Sequence, residues 1–69
     1  MIEVFKTNVE DAADASRLVQ LLRVHFPESR INFDLDDCDK ILRVEGRDFS
    51  NEKIMGLFAM KGFRCSVLD

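Results

Sequence analysis

The sequence predicts one small α+β domain, residues 1–69, in which four β-strands and two α-helices follow one another in the order βαββαβ. Two kinds of pattern predict this order. Four short segments alternate apolar and polar residues, as half-buried strands do, and two longer segments repeat apolar residues at intervals of three and four, as amphipathic helices do. Residues that cap or end helices separate these segments.

The first predicted strand covers residues 2–7. Ile2 and Val4 share one side of this strand, whereas Phe5 falls out of phase with them. Because neighbouring residues of a strand point to opposite faces of the sheet, Phe5 is predicted on the face away from the helices.

The first helix is predicted between Asn8 and Pro27. The side-chain oxygen of Asn8 can accept hydrogen bonds from the free amides of a first helical turn. Pro27 lacks an amide hydrogen and its ring clashes with the preceding turn, so the helix ends before it. The apolar stripe of this helix consists of Ala15, Leu18, Leu22 and Phe26, with Val19 beside it.

The middle of the chain predicts a β-hairpin with its turn at residues 36–39. In the strand before the turn, apolar Ile31, Phe33 and Leu35 alternate with polar Asn32, Asp34 and Asp36. In the strand after it, Leu42 and Val44 point one way and Ile41, Arg43 and Glu45 the other. Each strand therefore has one face for a core.

A second helix and a last strand complete the predicted domain. Ser50 is the expected cap of the helix, and Phe49 before it can pack on Ile54 as a hydrophobic staple. Gly62 can take the left-handed conformation that closes the helix. In the final strand, Phe63, Cys65 and Val67 alternate with Arg64, Ser66 and Leu68.

Right-handed crossovers arrange these elements as a four-stranded antiparallel sheet in the order 4-1-3-2, with both helices on one face. This arrangement is the ferredoxin-like sandwich. The fold hosts many unrelated functions, so the function has to be argued from sites.

The segment from Val9 to Asp14 has the spacing of a metal-binding motif but carries carboxylates in place of thiols. Over nearly its whole length the chain resembles the heavy-metal-associated domain family, small copper and zinc chaperone modules whose motif MxCxxC ends the first strand. Val9, Asp11 and Asp14 fall on the methionine and the two cysteines of that motif. The family's later spacing is kept by Leu18, Leu22 and the turn Lys61-Gly62-Phe63.

The missing cysteines determine the chemistry that the resemblance implies. Copper(I) prefers soft thiolates, so copper transfer is not expected and no cofactor is predicted. Asp11 and Asp14 remain weak candidates for a hard cation such as Mg²⁺ or Ca²⁺, because two ligands without a supporting cage bind weakly. The other interpretation is that both carboxylates complement the dipole of the first helix.

The sheet face away from the helices is the candidate partner surface. An open sheet that exposes apolar residues on adjacent strands suits a protein partner or a second copy of the chain. The predicted partner face consists of Phe5, Ile41, Arg43 and Leu68. An acidic end of the sandwich is predicted from Glu10, Asp11, Asp14, Asp34, Asp36, Asp37 and Asp39, and a basic end from Arg23, His25, Arg30 and Arg47.

Composition argues against several partners. A net charge of −3 disfavours nucleic acid, because affinity for a phosphate backbone depends on clustered Lys and Arg. No apolar run approaches the roughly 20 residues that span a bilayer, and the N-terminus lacks the pattern of a signal peptide. A cytoplasmic location without membrane contact is therefore expected.

No catalytic constellation is predicted. His25 is the only histidine and has no second His or nearby cysteine to act with. Cys38 and Cys65 lie about three strand spacings of ~4.8 Å apart in the predicted sheet, too far for a disulfide. The sequence thus predicts a non-catalytic binding module, a metal-free relative of heavy-metal-associated domains. The alternative is a carrier or sensor of metal ions at the acidic end, and a small-molecule regulatory domain of the ACT type is a third interpretation.

Overall fold

The computed structural model describes residues 1–68 and contains the six predicted elements in the predicted order. The strands are β1 (Ile2–Thr7), β2 (Arg30–Asp34), β3 (Ile41–Glu45) and β4 (Cys65–Val67), and the helices are α1 (Ala12–His25) and α2 (Asn51–Met60). Neither of the two described helices has the length and the apolar character that a membrane crossing requires.

The four strands form one antiparallel sheet in the order β2-β3-β1-β4. Phe5 of β1 lies opposite Leu42 of β3 and opposite Val67 of β4. Leu42 also lies opposite Phe33 of β2, so these four side chains share one face of the sheet. The predicted ferredoxin-like α+β fold is confirmed, since 4-1-3-2 is the same strand order read from the other edge.

The hydrophobic core lies between the two helices and this inner face of the sheet. Its largest fully buried side chains are Phe5, Phe58, Leu22, Leu42, Ile54, Val9 and Val44. Burial of each such side chain stabilises the fold by roughly 1.5–3 kcal/mol. Among residues 1–68 no polar or charged residue is buried with them, so apolar packing alone fills the core.

Helix α1 begins later than predicted. Its cap is Asp11, whose Oδ1 accepts a hydrogen bond from the Ala13 N–H at 2.7 Å. Asn8 has another role, because its Oδ1 accepts from the Arg64 N–H at 2.7 Å and its own N–H donates to the Arg64 carbonyl at 3.3 Å. The prediction of Asn8 as the cap is therefore wrong: its side chain ties the end of β1 to the start of β4.

The start of α2 agrees with the prediction. The Ser50 Oγ accepts a hydrogen bond from the Lys53 N–H at 3.3 Å and so satisfies one free amide of the first turn. Phe49 and Ile54, the predicted staple, are both buried. The staple fixes the angle at which the chain enters the helix.

The end of α2 also agrees with the prediction. Gly62 has a φ of +85°, a left-handed conformation that costs glycine little. The Gly62 N–H donates to the Ala59 carbonyl at 3.0 Å and the Phe63 N–H to the Phe58 carbonyl at 2.9 Å. These two bonds form a Schellman motif, which turns the chain directly into the approach to β4.

Candidate functional site

The sheet face opposite the helices is the largest predicted site, and no described helix covers it. Alternation along the strands and the register of their pairing place on it Ile2, Val4 and Lys6 of β1, Arg30, Asn32 and Asp34 of β2, Ile41, Arg43 and Glu45 of β3, and Ser66 of β4 with Arg64 and Leu68 beside it. We call this surface the open face.

The apolar side chains of the open face lie on neighbouring strands. The Leu68 N–H donates to the Val4 carbonyl at 2.9 Å, which places these two residues side by side. Ile2 lies two residues before Val4 on the same face of β1. Ile41 of β3 lies opposite Lys6, which is two residues after Val4 on that face. Ile2 is 50% exposed and Leu68 37%, so part of this apolar row is in contact with solvent.

The prediction that Phe5 lies on the open face is wrong. Phe5 is completely buried and belongs to the inner face. Val4 takes the position on the open face that was predicted for Phe5, because neighbouring residues of β1 point to opposite sides. Ile41, Arg43 and Leu68 do lie on the open face, as predicted.

The open face is basic although the chain is acidic. Its charged residues are the cations Lys6, Arg30, Arg43 and Arg64 and the anions Asp34 and Glu45. The face therefore carries a formal charge of +2 in a chain whose total is −3, which leaves −5 for the remaining residues. This separation of charge was not predicted, because it depends on which strand residues face outward.

The two carboxylates of the resemblance motif have structural partners. Asp11 caps α1, as described above, and the Asp14 Oδ1 accepts from the Arg17 Nη1 at 3.0 Å in an exposed ion pair one helical turn along. Within residues 1–68, neither Asp11 nor Asp14 belongs to a group of three or more side chains that could share a metal ion. Both acids thus act on the helix.

One acidic group does bring possible ligand atoms together. Asp37, Cys38 and Asp39 in the β2–β3 loop are exposed, and their ligand atoms lie within 4.8 Å of one another. The Asp37 Oδ1 accepts from the Asp39 N–H at 2.8 Å, which is the local bond of an Asx turn. The cluster therefore has a sufficient structural explanation in the turn that it forms.

The loops at the acidic end are joined by hydrogen bonds. The Thr7 N–H donates to the Asp39 carbonyl at 3.0 Å and the Thr7 hydroxyl to the Lys40 carbonyl at 2.7 Å. The Lys40 ammonium donates to the Leu35 carbonyl at 2.9 Å. Together with the bonds between Asn8 and Arg64, these contacts bring the β1–α1 loop, the β2–β3 loop and the segment before β4 to one end of the sheet.

The opposite end is not the basic one that was predicted. The prediction rested on Arg23, His25, Arg30 and Arg47. Glu28 and Glu45 share a surface depression with Arg30 and Arg47, so positive and negative side chains alternate there. The prediction failed because the acidic neighbours of these arginines in the chain were left out of it.

Sequence reasoning missed a groove along α1. It has a volume of about 420 Å³ and apolar walls formed by Leu18, Leu21, Val24 and Phe63, with Asp14, Arg17, Gln20 and Lys61 beside them. Val24 is 77% exposed, and both Val24 and Leu21 lie outside the predicted apolar stripe of the helix. These two apolar residues beside the stripe were the signal in the sequence that could have indicated the groove.

The two thiols differ sharply in environment. Cys38 is exposed in the hairpin loop, whereas Cys65 is half-buried on the inner side of β4. Burial disfavours the charged thiolate and raises the pKa of Cys65 from 9.0 to about 12. The two cysteines are not bonded to each other, which confirms the prediction that they form no disulfide.

Comparison with protein-family models, with curated proteins and with solved structures finds no match to this chain. The resemblance to heavy-metal-associated domains therefore rests on the residues quoted above and stays a prediction.

Proposed function

We propose that the protein is a non-catalytic interaction module whose open face binds an acidic segment of a partner protein that also carries apolar side chains. The observation that carries this proposal is the apolar row of Ile2, Val4, Ile41 and Leu68, which lies among cations on a face that no described helix covers. Apolar anchors inside a charged rim are the usual anatomy of a protein-binding surface.

Charge selects the kind of partner. Because the open face carries +2 and the remainder of the chain −5, an acidic segment is attracted to this face and repelled elsewhere. Lys6 lies opposite Ile41 and Arg43 lies opposite Val4, so these two apolar residues each have a cation beside them, whereas Ile2 lies opposite Glu45. Such pairing favours a segment in which acidic and apolar residues alternate.

The same face argues against RNA as the partner. Sheets that bind single-stranded RNA stack its bases on aromatic side chains of their central strands. The outward positions of β1 and β3 hold aliphatic and charged residues, and Phe5 points into the core. A protein segment fits this surface better than a base does.

The non-catalytic part of the proposal rests on the reactive residues themselves. The pKa of about 12 leaves Cys65 a neutral thiol at physiological pH, which is a poor nucleophile. The exposed His25 ends α1, on a different part of the fold from either cysteine. The alternative, a metal-ion carrier built on Asp11 and Asp14, is weaker because both carboxylates already serve α1.

Selection from a random peptide library displayed on phage tests the proposal. Peptides selected on the natural protein should combine acidic and large apolar residues. Their dissociation constants should rise at least roughly tenfold for the variants Leu68→Asp and Arg43→Glu, the loss expected when a central contact is removed. The matched control is Val24→Asp, which also changes an exposed apolar residue to Asp but lies on α1.

Two results would contradict the proposal. One is a selection that yields no binder or no acidic-apolar composition. The other is a set of peptides that still bind the Leu68→Asp variant but lose affinity for the Val24→Asp variant, which would move the binding site to the groove along α1.

A further inference from the structure

The strand β2 forms an edge of the sheet that is protected only by the charges of Arg30 and Asp34 at its two ends. Edge strands are commonly shortened, bulged or interrupted by proline, because their free backbone groups can pair with another chain. The other edge, β4, is three residues long. In contrast, β2 has five residues without proline and pairs with β3 without a bulge.

The backbone groups that β2 leaves free are those of Ile31 and Phe33. In an antiparallel sheet, successive residues direct their N–H and C=O groups to opposite sides. The Gly46 N–H donates to the Met1 carbonyl, so the backbone groups of alternate residues of β3 point toward β1, and those of Arg43 point toward β2. The backbone groups of Asn32, the partner of Arg43, therefore point toward β3. Those of Ile31 and Phe33, on either side of Asn32, point to the free edge.

The sequence of β2 is complementary to itself. The strand reads Arg-Ile-Asn-Phe-Asp from Arg30 to Asp34. If a second copy runs antiparallel with Asn32 opposite Asn32 of the partner subunit, Arg30 faces Asp34 of the partner subunit, and the reciprocal pair forms at the other end. On the helix side, Ile31 faces Phe33 of the partner subunit, twice over.

We propose that two copies of this chain pair along β2 in this register and form a continuous eight-stranded antiparallel sheet. In this register Ile31 lies opposite Phe33 of the partner subunit. The backbone groups of both residues point to the free edge, so they can form the hydrogen-bonded pairs of the new ladder. Opposite charges across a ladder stabilise pairing, whereas like charges oppose it. The charges of Arg30 and Asp34 therefore select this register.

The environment of these residues in one copy supports the pairing. Neither Arg30 nor Asp34 belongs to the one ion pair among residues 1–68, which joins Arg17 and Asp14. The Asp34 Oδ1 accepts a hydrogen bond from the Asp36 N–H at 3.1 Å, and the other carboxylate oxygen can accept from Arg30 of the partner subunit. Phe33 packs on Phe58 with ring centroids 6.2 Å apart, yet it is only half-buried. An isoleucine from a second copy would cover its exposed side.

The pairing has a consequence for the open face. Antiparallel strands at the centre of such a dimer are related by a two-fold axis perpendicular to the sheet. Both open faces then lie on the same side of one long sheet. The dimer does not depend on the function proposed above, but it would present two copies of the open face to one partner.

Analytical ultracentrifugation tests the dimer with a matched pair of variants. Asn32→Lys places two ammonium groups against each other at the two-fold axis, and Ser66→Lys makes a similar charge change at an exposed, outward position on the other edge strand. The natural protein and Ser66→Lys should be dimers at high micromolar concentration. The Asn32→Lys variant should be a monomer, or dissociate at least roughly tenfold more readily.

A charge swap tests the register. The single variants Arg30→Asp and Asp34→Arg each set like charges opposite each other and should be monomers, whereas the double variant restores opposite charges and should dimerise again. Circular dichroism of each variant is the control that establishes whether it is folded. A monomeric natural protein, an Asn32→Lys dimer, or dissociation by Asn32→Lys and Ser66→Lys alike would overturn the proposal, as would a double variant that is folded and stays monomeric.

Discussion

The two faces of the sheet are built from the same four strands but have opposite roles. On the inner face, Phe5 and Leu42 lie opposite each other and are completely buried. One residue away, Val4 and Arg43 are paired on the open face. The fold therefore depends on the inner face, and the outer positions are available for recognition.

This comparison shows how much depends on one residue of β1. In that strand, Ile2 and Val4 are apolar at the even positions, whereas Phe5 alone is strongly apolar at the odd ones. Counting apolar residues favours the even set for the core, but the structure buries the odd one. Phe5 is larger than either Ile2 or Val4, and the register places it opposite the apolar residues Leu42 and Val67, so the neighbouring strands decide which side of β1 enters the core.

The largest expected effect on stability comes from truncating one side chain on each face of β1. Phe5→Ala should lower the free energy of unfolding by about 3–5 kcal/mol, because it leaves a cavity in the core. Val4→Ala should cost only about 1 kcal/mol, because the side chain is half-buried and faces outward. Urea unfolding followed by circular dichroism measures both. If Phe5→Ala does not fold, Phe5→Leu should fold with an intermediate loss, and equal losses at Val4 and Phe5 would contradict the assignment of the two faces.

The sequence predicted most of the fold because local signals and packing agree there. Alternation in β2 and β3 leaves one choice of inner face, and Pro27, Ser50 and Gly62 mark the helix ends where the structure has them. The start of α1 was predicted less well. Asn8 and Asp11 are equally good caps by residue type, and only the hydrogen bonds of Asn8 with Arg64 decide between them.

The candidate site was predicted only in part, for a related reason. Three of the four residues of the predicted partner face are placed correctly, and Phe5 is not. The positive charge of the open face and the walls of the groove along α1 arise from contacts between segments that are far apart in the chain. The predicted strand order already placed β2 at an edge, but which of its backbone groups are free depends on its pairing with β3.

A smaller effect is expected at the start of α1, the helix that covers the inner face beside β2. Asp11→Ala should lower stability by about 0.5–2 kcal/mol because the cap is lost, while Asp11→Asn should cost less because asparagine also caps. Asp14→Asn should cost about 0.3–1 kcal/mol at low salt, and less at high salt, since only a surface charge is removed. Thermal unfolding of these variants checks the order.

The same variants decide about a metal ion. If Asp11 and Asp14 serve only the helix, micromolar Ca²⁺, Mg²⁺ or Zn²⁺ should leave the melting temperature of the natural protein unchanged. A rise of several degrees in the natural protein that is absent from the double variant Asp11→Asn/Asp14→Asn would show ligand binding instead, because an ion that binds only the folded state stabilises it. That result would favour the metal-ion carrier over the interaction module.

The last expected effect is a pH dependence of stability at Cys65, which lies on the inner side of β4 next to Ser66 of the open face. Its pKa is about 12 in the folded protein and 9.0 without the burial. Below pH 9 the thiol is neutral in both states, so it contributes no pH dependence there. As the pH rises from about 9 to about 12, the unfolded chain ionises first, and this difference lowers the stability of the folded state.

Two measurements test this assignment of Cys65. In a Cys38→Ser background, the free energy of unfolding should fall between pH 9 and pH 10.5 more steeply for the natural Cys65 than for the Cys65→Ala variant. Around pH 7.5 the difference in the free energy of unfolding between these two proteins should stay constant as the pH is varied. In the natural protein at pH 7.5, iodoacetamide should modify Cys38 first and Cys65 only after urea unfolding, because the thiolate is the reactive form. Rapid labelling of Cys65 in the folded protein would mean that β4 presents this residue to solvent, and the division of the sheet into an inner and an open face would then be wrong at that edge.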